Sequence, residues 1–344
     1  MGQAAAPGQP PGPAPSLRQG PGVQAAQDAR EAAVLATCRN PPPANAGLPA
    51  GIRPSAAPVA PHDYTVTAIP GVIAAGQKWT LLWKQDGNNA DGIIATNDGG
   101  ILIAQNDSSD VLKLTADGKA SVVYRNTHTG GALSRSKSGM LFIAERELNP
   151  AIWELSPQHQ LLANRYQGDP LDCLGTVLND LAADSKGGAY FTMGGLYYAD
   201  ARGTVTRYGE KLRTNGIILS PDEKILYVTN GDTLAAFEVQ PNGSLINQRQ
   251  LVTLPDGFGD GSTVDQEGRI YVTGGPAGVR VVTPDGRYLG TIPTPFGVIS
   301  AAFSGPGKQT LFAVILTGGP GGAMRSAQII SIPMIARGYR GRAK

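Results

Sequence analysis

The sequence is short of the residues from which most reactive sites are built. Two cysteines occur, Cys38 and Cys173, with no zinc-type spacing and no C-x-x-C motif. They can pair in an oxidising compartment or stay as free thiols. Three histidines, His62, His128 and His159, leave little for a Ser-His-Asp set, and there is no G-x-S-x-G nucleophile elbow. An excess of either charge is also lacking. Lys+Arg 29 against Asp+Glu 27 give a net charge of +2. The one basic cluster, RGYRGRAK at the end, reads as a frayed, solvated tail. Nucleic-acid binding is therefore not indicated, and no apolar run reaches the length of a transmembrane helix.

What is abundant is turn material. Gly 46 and Pro 27 in 344 residues imply many reversals, and long stretches of helical period are few. One phrase recurs: a polar residue, an apolar strand, a turn with Asp, Gly or Lys, and a second strand. Asp91 opens DGIIATNDGGILIA, Asn179 opens NDLAADSKGGAYFT, Asn215 opens NGIILSPDEKILYVT and Asp260 opens DGSTVDQEGRIYVT. Gly131 (GALSRSKSGMLFIA) and Ser300 (SAAFSGPGKQTLFA) open weaker copies. The spacing is about 40 residues, as expected of propeller blades. Third strands are read in VLKLT, AIWELS, VTRYG, LAAFEV, VRVVT and IISIP, and fourth strands in ASVVYR and LINQRQLVTL.

The expected fold is all-β, a six-bladed β-propeller over residues 61–337. DYTVTAIP and KWTLLWK should complete the last blade and close the ring, removing the exposed sheet edge. Residues 1–60 form a Pro/Ala/Gly-rich leader, too poor in apolar surface to order itself, with a short helix expected in VQAAQDAREAAVLAT. Residues 338–344 are the basic tail. No secretory signal opens the chain. A leader of this composition favours a periplasmic or secreted protein whose signal is absent from this sequence, over a cytoplasmic one.

In a propeller the innermost strand of each blade runs along the central channel. The six openers Asp91, Gly131, Asn179, Asn215, Asp260 and Ser300 should therefore ring one channel mouth. Asp-Gly and Asn-Gly are also ordinary turn pairs. Four polar openers at one phase of a repeat favour a site. Two carboxylates and two amides supply the oxygen ligands that a hard divalent cation takes, calcium above all. Asp91, Asn179, Asn215 and Asp260 are the expected metal ligands.

NDLAADSKGGAYFT, TNGIILSPDEKILYVTN and DGSTVDQEGRIYVT resemble the repeated signatures of the senescence-marker-protein/gluconolactonase/regucalcin family of calcium-dependent six-bladed propellers. The resemblance runs from about Asp91 to the end of the propeller. It implies an axial divalent ion and hydrolysis of lactones or, in some members, organophosphate esters. It assigns an asparagine ligand to Asn215, the aspartate ligand that is also base or nucleophile to Asp260, and a metal or substrate contact to Asn179. Two departures stand out. Asp91 replaces the family's usual glutamate, and Val177 replaces the arginine that sugar-lactone members place two residues before the blade asparagine. A more apolar lactone or ester is then as suitable a substrate as a sugar lactone.

The expected chemistry is metal-assisted hydrolysis of a small lactone or ester, with Asp260 as general base or nucleophile. His128, in RNTHTGGA beside the Gly131 opener, is a candidate proton shuttle or substrate contact, with two glycines leaving room next to it. Glu145-Arg146 is assigned to the opposite end of the hairpin and to a structural role. The rival readings are a non-catalytic interaction platform and a strictosidine-synthase-like propeller with other chemistry.

Overall fold

The structure, a computed structural model, describes residues 29–42, 64–86, 89–274, 278–317 and 326–342. Readings that fall on residues 1–28 or 43–63, including His62, lie outside the described residues. Within them, six four-stranded antiparallel sheets form as six blades. The innermost strands are Ala90–Ala95, Ala132–Arg135, Leu181–Ala183, Thr214–Leu219, Ser262–Val264 and Val298–Ser304, for blades 1 to 6. Each lies against the next, and the last lies against the first. No helix of the described residues is long and apolar enough to cross a membrane.

The strand pattern follows burial. Second strands such as Ile101–Gln105 and Leu141–Glu145 are buried along their whole length, because neighbouring blades cover both faces. Outer strands such as Ala120–Arg125 alternate between half-buried and exposed. Ring closure uses the beginning of the chain. Thr80–Asp86 adds to Ser326–Pro333 as the fourth strand of blade 6. DYTVTAIP forms no strand: Val66, Ile69, Val72 and Ile73 tuck into the blade 5–blade 6 core around a short Ile69–Ile73 bridge.

One strand assignment shifts. VTRYG belongs to the outermost strand of blade 3, Val205–Tyr208, whereas the third strand is Leu196–Ala199. The turn between second and third strands is compressed to Met193-Gly194-Gly195, with Gly194 at φ 65°, so two strands read as one run in the sequence.

Two described stretches, residues 29–42 and 339–342, are tied down more than composition suggests. The helix Ala29–Leu35 does form, and Cys38 is disulfide-bonded to Cys173 across a separation of 135 residues. Arg39 Nε donates to Asp169 Oδ1 at 3.0 Å. The stretch 29–42 is therefore fastened to the propeller by covalent and ionic links that its own composition does not encode. The tail is packed too. Tyr339 N donates to Val264 O, and the buried Arg342 reaches the carbonyls of Leu219 and Ser220. These lie at the end of the channel opposite Asn215, so residues 339–342 pack against that end.

Candidate functional site

The openers gather at one mouth, and the glycine that follows three of them explains how. Gly92, Gly216 and Gly261 lie where the start of one innermost strand meets the next. A Cβ on Gly216 would fall 1.9 Å from the carbonyl oxygen of Asp260, and one on Gly92 2.9 Å from that of Gly131. Gly92 N donates to Gly131 O at 2.8 Å, and Gly261 N to Ile299 O at 3.0 Å. None of the three has positive φ. The glycine of these Asp-Gly and Asn-Gly pairs thus permits backbone contact between blades, and no turn is involved.

Blade 3 solves the same problem with a side chain. Asp180 Oδ2 accepts Ile217 N–H at 3.0 Å, and Oδ1 accepts Leu181 N–H. In blades 3 and 5 the threonine that ends the second-strand phrase completes the join. Thr192 Oγ1 donates to Asn215 O, and Thr273 Oγ1 to Ile299 O at 2.7 Å. Thr273 O in turn accepts Asp260 N–H at 2.8 Å. The polar phrase is therefore the seam between blades.

Asn179, Asn215, Asp260 and Asp91 occupy neighbouring positions on this mouth. Asn179 Nδ2 donates to Asn215 Oδ1 at 2.9 Å. Asp260 is walled in by protein although part of the residue meets solvent. Desolvation first, then the nearby Asp91 and Asp180 carboxylates, push its pKa well above the usual carboxylate value; Arg146 pulls the other way. Ser300 is spent on structure, its hydroxyl accepting Ile93 N–H at 3.4 Å.

Arg146 is the functional residue that sequence reasoning misplaced. Antiparallel pairing sets Ala132 opposite Ala144, so the residues after the second strand return to the opener end. Its guanidinium bonds the Asp91 carboxylate, Asn179 O and, at 3.1 Å, Asn179 Oδ1. Nε donates to Leu178 O at 2.8 Å. The mouth therefore has a basic group despite Val177, delivered from the neighbouring blade. A correct hairpin count was the signal that could have found it.

His128 does sit on this face, at φ 42°. Its Nδ1 is 2.9 Å from Glu145 Oε2, and this partnership raises its pKa. The glycines next to it do not leave free room. A Cβ on Gly130 would meet Ile143 Cδ1 at 2.4 Å, and one on Gly131 would meet Arg146 Cζ at 1.8 Å.

The approach to Asp260 is braced by Arg280, a fully buried side chain that sequence reading did not single out. It donates to the carbonyls of Pro255, Gly257, Phe258, Thr273 and Gly274, the two backbone stretches that flank Asp260. Its two terminal nitrogens, bonded to carbonyls from both stretches, fix the loop geometry around Asp260.

A closed six-blade ring with carboxylates, amides and a guanidinium at one mouth defines a propeller with a polar channel mouth. Residues 117–316 match the SMP-30/Gluconolactonase/LRE-like region. The chain belongs to that family. It is 25% identical over 249 residues to the lactonohydrolase oryL of Aspergillus oryzae, covering 56% of this chain and 55% of that protein. The chain thus spans about half the length of that relative. Among solved structures, a gluconolactonase from Xanthomonas campestris superposes with a TM-score of 0.66 at 25% identity, over 82% of this chain and 99% of the other. A calcium-binding regucalcin from Agrobacterium tumefaciens shares the fold, with a TM-score of 0.54 at 19% identity over 73% and 93%.

Proposed function

We propose that this protein hydrolyses a lactone or small ester at the opener mouth, with Asp260 as the reacting carboxylate. The observation that carries the reading is Asp260 itself: an enclosed carboxylate facing Asp91 and Asp180, in a family whose named relatives include a lactonohydrolase and a gluconolactonase. Such a carboxylate is costly to the fold and useful to chemistry. A carboxylate only partly offset by Arg146, beside an amide oxygen, also fits a hard divalent cation. Asp260 and Asn215, adjacent through the Gly216 contact, would hold a calcium-sized ion, with water completing the shell. When bound, the ion supplies carbonyl polarisation and a more acidic water.

Asp260 Oδ takes the proton of the attacking water as the water oxygen bonds to the acyl carbon. The ring C–O bond then breaks, and the departing alkoxide is protonated to give a hydroxy acid. Direct attack by the Asp260 carboxylate through an acyl intermediate uses the same position. Arg146, paired with Asp91, offsets part of the negative charge that acts on Asp260. His128, with Nδ1 held by Glu145 and a side chain 58% exposed, is assigned the relay of the proton to solvent.

The test is a panel of lactones, simple esters and organophosphates assayed with calcium and with chelator, on the full chain and on Asp260→Asn. Turnover that needs calcium and falls about 10²-fold or more in kcat in the variant is the expected result. Absence of turnover on every class would sink the enzyme reading. Turnover retained by Asp260→Asn would move the base elsewhere.

A further inference from the structure

Blade 2 breaks the repeat in two places that turn out to be one feature. Its opener is Gly131 where the openers of blades 1, 3, 4 and 5 are Asp or Asn, and its second strand is followed by Arg146. The guanidinium lies over Gly131 so closely that any side chain there would displace it. Arg146 is only 7% exposed. Its Nε serves Leu178 O, Nη1 serves Asp91, and Nη2 serves the backbone and side-chain oxygens of Asn179. With the Asn106 amide turned so that its nitrogen donates to Gly130 O at 2.8 Å, its oxygen accepts from Nη1 at 3.3 Å. These acceptors match the N–H groups that a guanidinium owns.

We propose that Arg146 is the resident cation of the mouth, and that by engaging Asp91 and Asn179 it sets the site's affinity for divalent cations. The inference rests on the reading of this mouth as an ion site. Asp91 and Asn179 were the expected ligands from blades 1 and 3. With a guanidinium between them, their oxygens point to a fixed positive charge, and an incoming ion is left with Asp260 and Asn215. It also meets like charge at close range. Affinity of oxygen-ligand sites is tuned by the number of charged ligands they offer, so this arrangement makes the site a weak one by construction. Gly131 is the structural partner of the device, because only a residue without Cβ lets the guanidinium reach across.

The experiment is calorimetric titration of calcium chloride into the full-length protein and into Arg146→Met and Gly131→Ala, with melting curves to establish folding. Arg146→Met removes the charge, and Gly131→Ala displaces it while leaving the arginine in the chain. Both should bind calcium about tenfold or more tightly than the parent, since each frees the Asp91 carboxylate as a ligand. Adding Asp91→Asn to Arg146→Met should cancel the gain. Unchanged or weaker binding in whichever of the two variants folds would overturn the proposal, as would binding in none of the three proteins. If neither folds, Arg146→Lys decides: its single ammonium cannot hold Asp91 and Asn179 together, so tighter binding supports the device and unchanged binding overturns it. The readout is binding and not turnover. A gain in affinity without lactone hydrolysis would therefore count against the proposed reaction and leave the role of Arg146 standing.

Discussion

Asp260 at the opener end and the aspartates at the far end of the channel are used in opposite ways. At the far end, Asp184 and Asp265 each fold back on their own turn. Asp184 Oδ1 accepts the N–H groups of Lys186 and Gly188, and Oδ2 accepts the Tyr198 hydroxyl at 2.7 Å. Asp265 Oδ1 accepts Glu267 N–H and Arg269 N–H, while Oδ2 takes Arg269 Nε and the Tyr271 hydroxyl. The tail then seals this end, with Arg342 near Glu223 at 3.7 Å and Lys308 Nζ donating to the carbonyls of Tyr339 and Arg342. At the opener end Asp260 faces other carboxylates instead. Buried charge that is fully partnered holds a structure together. Asp260, whose carboxylate neighbours are only partly offset by Arg146, is a charge that a substrate or ion can compensate.

Substituting one aspartate from each end gives the largest separation. Asp265→Asn breaks a buried ion pair with Arg269 and should cost about 3 kcal/mol of stability, read by denaturant unfolding. Asp260→Asn in chelator should not lower the melting temperature, because the carboxylate it removes faces Asp91 and Asp180. Equal destabilisation by the two would erase the distinction between the ends.

A stability effect of similar size concerns what fastens the opener face. Cys173 lies in the short 3-10 turn Leu171–Leu174, shortly before Leu178 and Asn179, which Arg146 holds. Cys38→Ser should lower stability by about 2–4 kcal/mol, the usual range for a long closed loop. The same variant should unfold at the same denaturant concentration as the reduced parent. A parent protein indifferent to reductant would show that the bond contributes nothing.

The smallest effect is the titration of His128. Glu145 raises its pKa, so the folded state binds this proton more tightly than the unfolded chain does. The pair's contribution is fully present below about pH 6.5, the ordinary histidine value. It is lost as pH rises through the elevated folded value. NMR titration should place His128 above an ordinary histidine, and Glu145→Gln should bring it back. An unshifted His128 would mean that the pair does not form in solution.

Much of this was legible in the sequence because a propeller repeats its local code. The openers, hairpins and ring closure each follow from one phrase copied around an axis, and a resemblance at Asn179, Asn215 and Asp260 sharpened the reading. Where the phrase was compressed, as at Met193-Gly194-Gly195, strands were miscounted. Arg146 was lost for a simpler reason: a hairpin returns its second strand to the level where the first began. Arg280 carried no local signal, since its partners come from two loops brought together by the blade.

By itself, the sequence determined the blade period, the alternation that buries each sheet, and which polar residues share one phase and hence one channel mouth. These are matters of spacing, and spacing is local. Tertiary structure decided which of those residues touch. It put the Arg146 guanidinium between Asp91 and Asn179, left Asp260 facing like charge, joined Cys38 to Cys173, and laid the tail across the far end. Each depends on groups far apart in the chain meeting at one place, and charge acts through distance in space, to which order along the chain gives no direct access.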